Sequence, residues 1–71
     1  MFHPFVFRAE LPEGATSIRV AYLDNDSVEI EAYGAKGALV ARAQYDYDAP
    51  TMEWRNSPQY PWSPNINCSL N

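Results

Sequence analysis

The fold is decided by residues 17–47, SIRVAYLDNDSVEIEAYGAKGALVARAQYDY, where three runs of alternating apolar and polar residues are separated by two turn-rich breaks. Successive side chains of a β-strand point to opposite faces, so each run predicts a strand with one buried face. The predicted strands cover residues 17–23, 27–33 and 38–47. Upstream, PFVFRAEL alternates in the same way and predicts a further strand over residues 4–11.

The apolar rows also predict how the strands pair, because a slip of one residue would turn a buried row outward. Facing Tyr22 to Val28 keeps both apolar rows on one face of the sheet. The same register sets Arg19 opposite Glu31. A simple two-residue loop at residues 25–26 is rejected, since it would pair apolar with acidic positions.

The next hairpin is predicted from the loop GAKG at residues 34–37. A four-residue loop there places Val28 opposite Ala43. On the other face it places Glu29 opposite Arg42. Each exposed pair of opposite charges contributes only about 0.2–1 kcal/mol, so the agreement between the two faces supports the register more than the energy does.

The first predicted strand is joined to the second by a connection that Pro12 and Gly14 interrupt. Pairing Leu11 with Ile18 would align the apolar rows of these two strands. It would also set Glu10 opposite Arg19. The sequence therefore predicts an all-β fold, a small four-stranded antiparallel meander that forms a twisted sheet or a partly closed barrel.

The composition changes after Asp48, because residues 49–71 contain four of the six prolines and both tryptophans. Proline removes a backbone donor and disfavours helix at the residue before it. We therefore expect a sheet domain over residues 1–48 and an extended Pro/Trp-rich C-terminal arm over residues 49–71. A short helix near residues 49–57 would make the fold α+β.

The arm is rich in aromatic residues, which disordered tails usually lack. Trp54, Tyr60 and Trp62 indicate that it docks on a surface, either on its own sheet or on a partner. The apolar face of the sheet also needs cover. The sheet curls, the arm crosses it, or a second copy of the chain caps it, and the sequence leaves these three alternatives open.

Length and charge limit the classes of function. A chain of 71 residues forms one small domain, which buries only about 60% of the surface exposed in its unfolded state. Cys68 is the only cysteine and His3 the only histidine, so neither an internal disulfide nor a Cys/His zinc site is predicted. The net charge of −4 argues against binding to nucleic acid or to an anionic membrane. The N-terminal residues resemble no secretory leader and no run could span a membrane, so we expect a cytoplasmic location.

Two acidic stretches are candidates for chemical sites. Asp24-Asn25-Asp26-Ser27 resembles the start of a calcium loop, but Val28 occupies the third ligand position, and Asp and Asn are common in turns because they bond their own backbone. Asp46 and Asp48 could act as an acid–base pair, yet alternation along a strand explains them equally well. No catalytic, cofactor-binding or metal-binding residues are predicted.

These observations predict a non-enzymatic protein-binding module that occupies a partner's surface, as an inhibitor or assembly factor does; a phage or mobile-element origin would fit its size and acidity. The alternative is a self-associating structural subunit, with another protein or a second copy as the partner in the two cases. An enzyme that uses Asp46 and Asp48 is a distant third. The predicted partner-binding residues combine aromatic anchors with charged strand positions: Trp54, Arg55, Tyr60, Trp62, Tyr33, Glu29, Glu31 and Arg42.

Overall fold

The computed structural model describes residues 3–7 and 10–64, and within these ranges the chain contains strands and no helix. The strands are β1 (Ser17–Asp24), β2 (Ser27–Tyr33), β3 (Leu39–Asp48) and β4 (Glu53–Asn56). They form one antiparallel sheet in the order β1-β2-β3-β4. β1 and β4 lie at opposite edges, so the sheet is an open meander and not a closed barrel. The predicted all-β, four-stranded antiparallel meander is confirmed.

The register between β1 and β2 is the predicted one. Tyr22 lies opposite Val28, and Arg19 lies opposite Glu31. The turn, however, differs from the expectation: Asp24 pairs with Ser27, which leaves the two-residue loop that the sequence argument rejected. A β-bulge between Tyr22 and Asp24 absorbs the extra residue, so a tight turn and a correct apolar register coexist.

The predicted register between β2 and β3 is wrong by two residues. Val28 lies opposite Tyr45 instead of Ala43. One residue of the shift comes from the loop, which closes with the Gly34 N–H donating to the Ala38 carbonyl at 2.8 Å. The other comes from a bulge, since the partners step from Ala41 to Leu39 as β2 advances by one residue. From Ala41 to Asp46 the shift of two residues keeps the side chains of β3 on their predicted faces, whereas the bulge places Leu39 opposite Tyr33 instead of Ala32.

The fourth strand of the sheet is β4, which lies inside the segment predicted as an extended arm. It pairs with the end of β3, and Trp54 lies opposite Tyr47. The connecting turn is closed by the Met52 N–H donating to the Ala49 carbonyl at 3.2 Å. Met52 has a φ of 59°, a left-handed conformation that is rare outside glycine. Residues 49–57 thus contain a turn and a strand, and the helix considered for them is not present.

The first predicted strand is wrong in its described part, because residues 3–7 and 10–11 form no strand. The expected pairing of Leu11 with Ile18 is therefore not formed, while residues 8–9 lie outside the described residues. Residues 3–7 instead lie against the apolar face, where the Trp54 indole Nε1–H donates to the Pro4 carbonyl at 3.0 Å. The apolar face of the sheet needs cover, and packing the aromatic side chains of this segment on it removes apolar area from water.

The core lies between the apolar face of the sheet and these N-terminal residues. Phe5 stacks near Phe7 and contacts the rings of Tyr45 and Trp54, with centroids 5.7 and 5.1 Å away. Trp62 packs against the same cluster from the C-terminal side. The buried members of the core are Val28, Ile30, Ala32, Ala43, Tyr45 and Trp54. The opposite face of the sheet carries the charged positions, and from the described residues outside the sheet it receives the ring of Tyr60 against Arg42.

Candidate functional site

The candidate site is the face of the sheet opposite the core, which we call the polar face. Strand alternation brings its side chains together from all four strands, in the registers described above. Its members are Arg19, Glu29, Glu31, Tyr33, Arg42, Gln44, Asp46, Asp48, Glu53 and Arg55.

Two ion pairs cross the centre of the polar face. Arg19 Nη1 donates to Glu31 Oε1 at 2.9 Å, straight across the β1–β2 pair. Arg42 lies opposite Glu31, but its Nε donates diagonally to Glu29 Oε2 at 2.9 Å, and its Nη2 reaches the same oxygen. The hydrogen bond to Glu29 raises the pKa of Arg42 above its ordinary value. The predicted Glu29–Arg42 contact therefore forms, although the two residues are not direct strand partners.

The second feature of the polar face is a link between Tyr33 and Glu31. A hydrogen bond from the Tyr33 hydroxyl, ahead of the contribution from Arg19, lowers the pKa of Glu31. The same bond raises the pKa of Tyr33. Glu31 Oε1 also accepts from Arg19 Nη1, and the Glu31 side chain is only 15% exposed. Leu39, the strand partner of Tyr33, is 51% exposed and adds apolar surface beside the phenol.

Tyr60 reaches the polar face from the arm. A turn after β4 directs it there: the Ser57 N–H donates to the Gln44 carbonyl at 2.7 Å, and the Tyr60 N–H donates to the Ser57 carbonyl at 3.3 Å. The Arg42 guanidinium carbon lies 4.9 Å from the centre of the Tyr60 ring. A cation over an aromatic face is attracted by about 0.5–1 kcal/mol when exposed. The guanidinium of Arg42 is therefore held by Glu29 on one side and by Tyr60 on the other.

The two carboxylates considered for acid–base chemistry are both engaged in hydrogen bonds. Asp46 Oδ1 accepts from Ser27 Oγ at 2.7 Å and from Gln44 Nε2 at 3.3 Å. Asp48 Oδ2 accepts from the Thr51 hydroxyl and from Arg55 Nε at 3.2 Å. These bonds, that of Thr51 first, lower the pKa of Asp48. A general acid needs a raised pKa at neutral pH, so the environment of Asp48 favours a structural role.

The predicted partner-binding residues divide between the two faces. Six of them lie on or beside the polar face: Arg55, Tyr60, Tyr33, Glu29, Glu31 and Arg42. Trp54 is 7% exposed and belongs to the core, while Trp62 is half-buried against it. In this fold the Trp54 indole contacts the chain's own N-terminal residues.

Sequence reasoning missed the exposure of Leu39, because the predicted β2–β3 register paired it with Ala32 on the apolar face. Only the bulge places it opposite Tyr33. A glycine-bounded loop that allows more than one closure is the signal that could have raised this possibility.

An open depression of about 510 Å³ lies beside the β1–β2 turn, lined by Asp24, Asn25, Asp26, Ser27, Asp46 and Tyr47. The Asp26 N–H donates to Asp24 Oδ1 at 2.7 Å, the backbone bond that the sequence predicts for a turn of this composition. His3 stacks on Tyr47 at a centroid distance of 3.9 Å, and its Nε2 lies 3.3 Å from Asp26 Oδ1. Within residues 3–7 and 10–64, His, Cys, Asp and Glu form no group of three or more with the geometry to hold a metal ion.

Comparison with protein-family models, with curated proteins and with solved structures finds no match for this chain. In the described part of the chain, no helix has the length and apolar character needed to cross a membrane.

Proposed function

We propose that this chain is a small non-enzymatic protein-binding module of the cytoplasm, which occupies a partner's surface with the polar face of its sheet. An inhibitor or an assembly factor acts in this way. The observation that carries the proposal is the asymmetry of the sheet. The described N-terminal residues and Trp62 pack on the apolar face, whereas the polar face carries arginine and tyrosine side chains and receives the single ring of Tyr60 from the described residues outside the sheet.

The composition of the polar face supports a protein partner. Tyrosine and arginine are favoured anchors in protein–protein interfaces, and charged pairs are typical of their rims. Tyr33 and Leu39 supply adjacent aromatic and aliphatic surface, and Tyr60 supplies a second ring. The net charge of −4 favours a partner with a basic surface, because complementary charge accelerates encounter.

The ion pairs support the proposal through pre-organisation. Immobilising a long side chain on binding costs about 0.5–1.5 kcal/mol. Arg42 and Arg19 are already held by Glu29 and Glu31 at 2.9 Å, so their guanidinium planes lose little further freedom when a partner docks.

The test is affinity capture from the source cell with matched baits. A double variant, Tyr33→Ala with Leu39→Ala, removes the half-buried phenol of Tyr33 and the exposed Leu39 side chain beside it. Met52→Ala, at a 70% exposed residue outside that face, is the control. A protein retained by the wild type and by the control should bind the double variant at least about tenfold more weakly, the effect expected when interface anchors are lost. Equal retention by all three baits, or no protein retained by the wild type, would contradict the proposal.

A further inference from the structure

The outer edge of β1 is the least protected part of the sheet. β1 has eight residues and, within the described chain, one neighbouring strand, β2. β4, at the other edge, has only four residues, and Glu53 and Arg55 flank its single buried residue. Proteins usually guard edge strands by making them short, by charging them or by adding proline. Between Ser17 and Leu23, β1 carries one charged residue, Arg19, and no proline.

The core also becomes thinner toward β1. Val28 and Ile30 on β2 are fully buried, whereas their strand partners on β1, Tyr22 and Val20, are 39% and 38% exposed. Ile18 is the half-buried member of the same row. The apolar row of β1 is thus aligned with the core but incompletely covered by the chain itself.

The sequence of β1 is complementary to itself. An antiparallel pair of two copies centred on Val20 places Ile18 opposite Tyr22 of the second copy, an aromatic/β-branched contact of the favourable kind. Arg19 then lies opposite Ala21. Centring on a residue keeps like faces together, whereas centring on a peptide bond would join the apolar face of one copy to the polar face of the other.

The neighbouring registers are less favourable. Centring the pair on Arg19 would set two guanidinium groups directly opposite each other, and like charges in that position destabilise a sheet. Centring it on Ala21 would set Ile18 opposite Asp24, an apolar residue against a carboxylate.

We propose that two copies of this chain associate through their β1 edges, antiparallel and centred on Val20, to form one continuous eight-stranded sheet. The contact is two-fold symmetric, so each copy supplies the same groups, and it joins the outer N–H and C=O rows of both strands. It leaves the polar faces open and side by side on one surface of the dimer. The inference uses a different surface from the proposed partner contact and does not depend on it.

The test is sedimentation equilibrium of the full chain between about 10 and 500 µM, a range that detects dissociation constants in the micromolar range. The wild type should approach twice the monomer mass of 8.1 kDa at the upper end. Val20→Lys and Val20→Glu each set like charges opposite one another at the two-fold axis, so each should weaken association about tenfold or more. A mixture of these two variants should associate again. Val40→Lys, at a 41% exposed residue on β3, is the matched control and should behave as the wild type.

Each outcome is decisive once circular dichroism shows that the variants fold. A wild type that stays monomeric throughout the range overturns the proposal. If Val20→Lys then also fails to retain a protein that the wild type captures, the β1 edge binds a foreign strand and not a second copy, and the proposal is still overturned. A dimer that the Val20 variants leave unchanged, or a mixture that fails to associate, overturns the β1 location. Because mass is measured without a foreign partner, neither result bears on the polar face.

Discussion

Replacing Trp54 is expected to be among the most damaging single substitutions in this domain. The indole is 7% exposed, its ring contacts those of Phe5, Tyr22 and Tyr47, and its Nε1–H donates to the Pro4 carbonyl. It therefore joins β4, the rest of the apolar face and the N-terminal residues. Truncating a buried tryptophan to alanine typically costs about 3–5 kcal/mol. A chain of 71 residues has a total free energy of unfolding of roughly 4–11 kcal/mol, so Trp54→Ala should remove a large share of it.

Trp54→Phe separates the two contributions of the indole. It keeps an aromatic ring in the core and removes the hydrogen bond to Pro4, which should lower the free energy of unfolding by about 1 kcal/mol. For a domain of this size that corresponds to a decrease in Tm of about 4–8 °C. Met52→Ala, at a residue that is 70% exposed in the adjoining turn, should leave Tm nearly unchanged.

The assay is urea denaturation together with thermal melting, followed by circular dichroism. The expected order of stability is wild type and Met52→Ala together, then Trp54→Phe, then Trp54→Ala. If Trp54→Ala melts within about 2 °C of the wild type, a change of only about 0.5 kcal/mol or less, the indole is not buried as described and the reasoning is refuted.

Three further predictions concern the two carboxylates with lowered pKa values, the strained turn residue Met52 and the buried hydroxyl of Tyr45. The lowered pKa values of Glu31 and Asp48 mean that their contribution to stability is present above the ordinary carboxyl pKa and is lost as pH falls through the lower, folded-state values. Tm should therefore decrease as the pH is lowered below about 4.5. In a double variant of Glu31→Gln with Asp48→Asn, Tm should decrease less steeply with falling pH, and an unchanged slope of Tm against pH would argue against these hydrogen bonds. Met52→Gly should raise the free energy of unfolding by about 0.5–1 kcal/mol, because relief of the left-handed strain at φ 59° exceeds the added entropy of the unfolded chain; a lower Tm would contradict the turn geometry. Tyr45→Phe should lower the free energy of unfolding by about 0.5–1.5 kcal/mol, because the buried hydroxyl donates to the Pro64 carbonyl at 3.1 Å. Hydrogen exchange at the backbone amides of residues 60–63 should become faster in this variant. Unchanged exchange would show that this bond does not hold the arm.

The sequence predicted the central part of the sheet because alternation and register constrain each other there. Val28 and Ile30 alternate with Glu29 and Glu31, and only one register with β1 aligns apolar residues on one face and opposite charges on the other. Between β2 and β3 the predicted register is wrong by two residues, because a shift by an even number preserves both faces along most of the pair and alternation leaves that ambiguity open. The loop closure and the bulge, which are properties of the backbone, resolved that ambiguity.

Strand β4 could not be predicted from local pattern. Four residues between a turn and a proline-rich segment carry too little alternation to indicate a strand. The strand exists because Trp54 enters the core when Glu53–Asn56 pairs with β3, a tertiary gain that local propensity does not contain.

At the N-terminus the sequence predicted a strand that the described residues do not form. Phe5 and Phe7 alternate like strand residues, but they pack on the apolar face instead of pairing with β1. Alternation reports which side chains become buried, and it does not report whether the backbone joins the sheet.

The candidate site was predicted in composition more than in geometry. Glu29, Glu31 and Arg42 lie on the predicted face, and strand alternation alone placed them there. The cation–π contact of Tyr60 depends on a turn between Ser57 and Tyr60; the Ser57-Pro58 pair favours a turn, but local pattern does not show that the turn brings the ring to Arg42. The role of the polar face in binding a partner stays a prediction.

The most direct test of the account is a measurement of solvent access to the methyl groups on the two faces of the sheet, by nuclear magnetic resonance with a soluble paramagnetic agent. We expect strong protection of Val28, Ile30 and Ala43, which are fully buried, and strong attenuation of the methyl signals of Leu39 and Val40, which are 51% and 41% exposed. Equal attenuation of the two sets would show that the apolar face is not covered by the chain's own residues. The asymmetry on which the proposed function rests would then be absent.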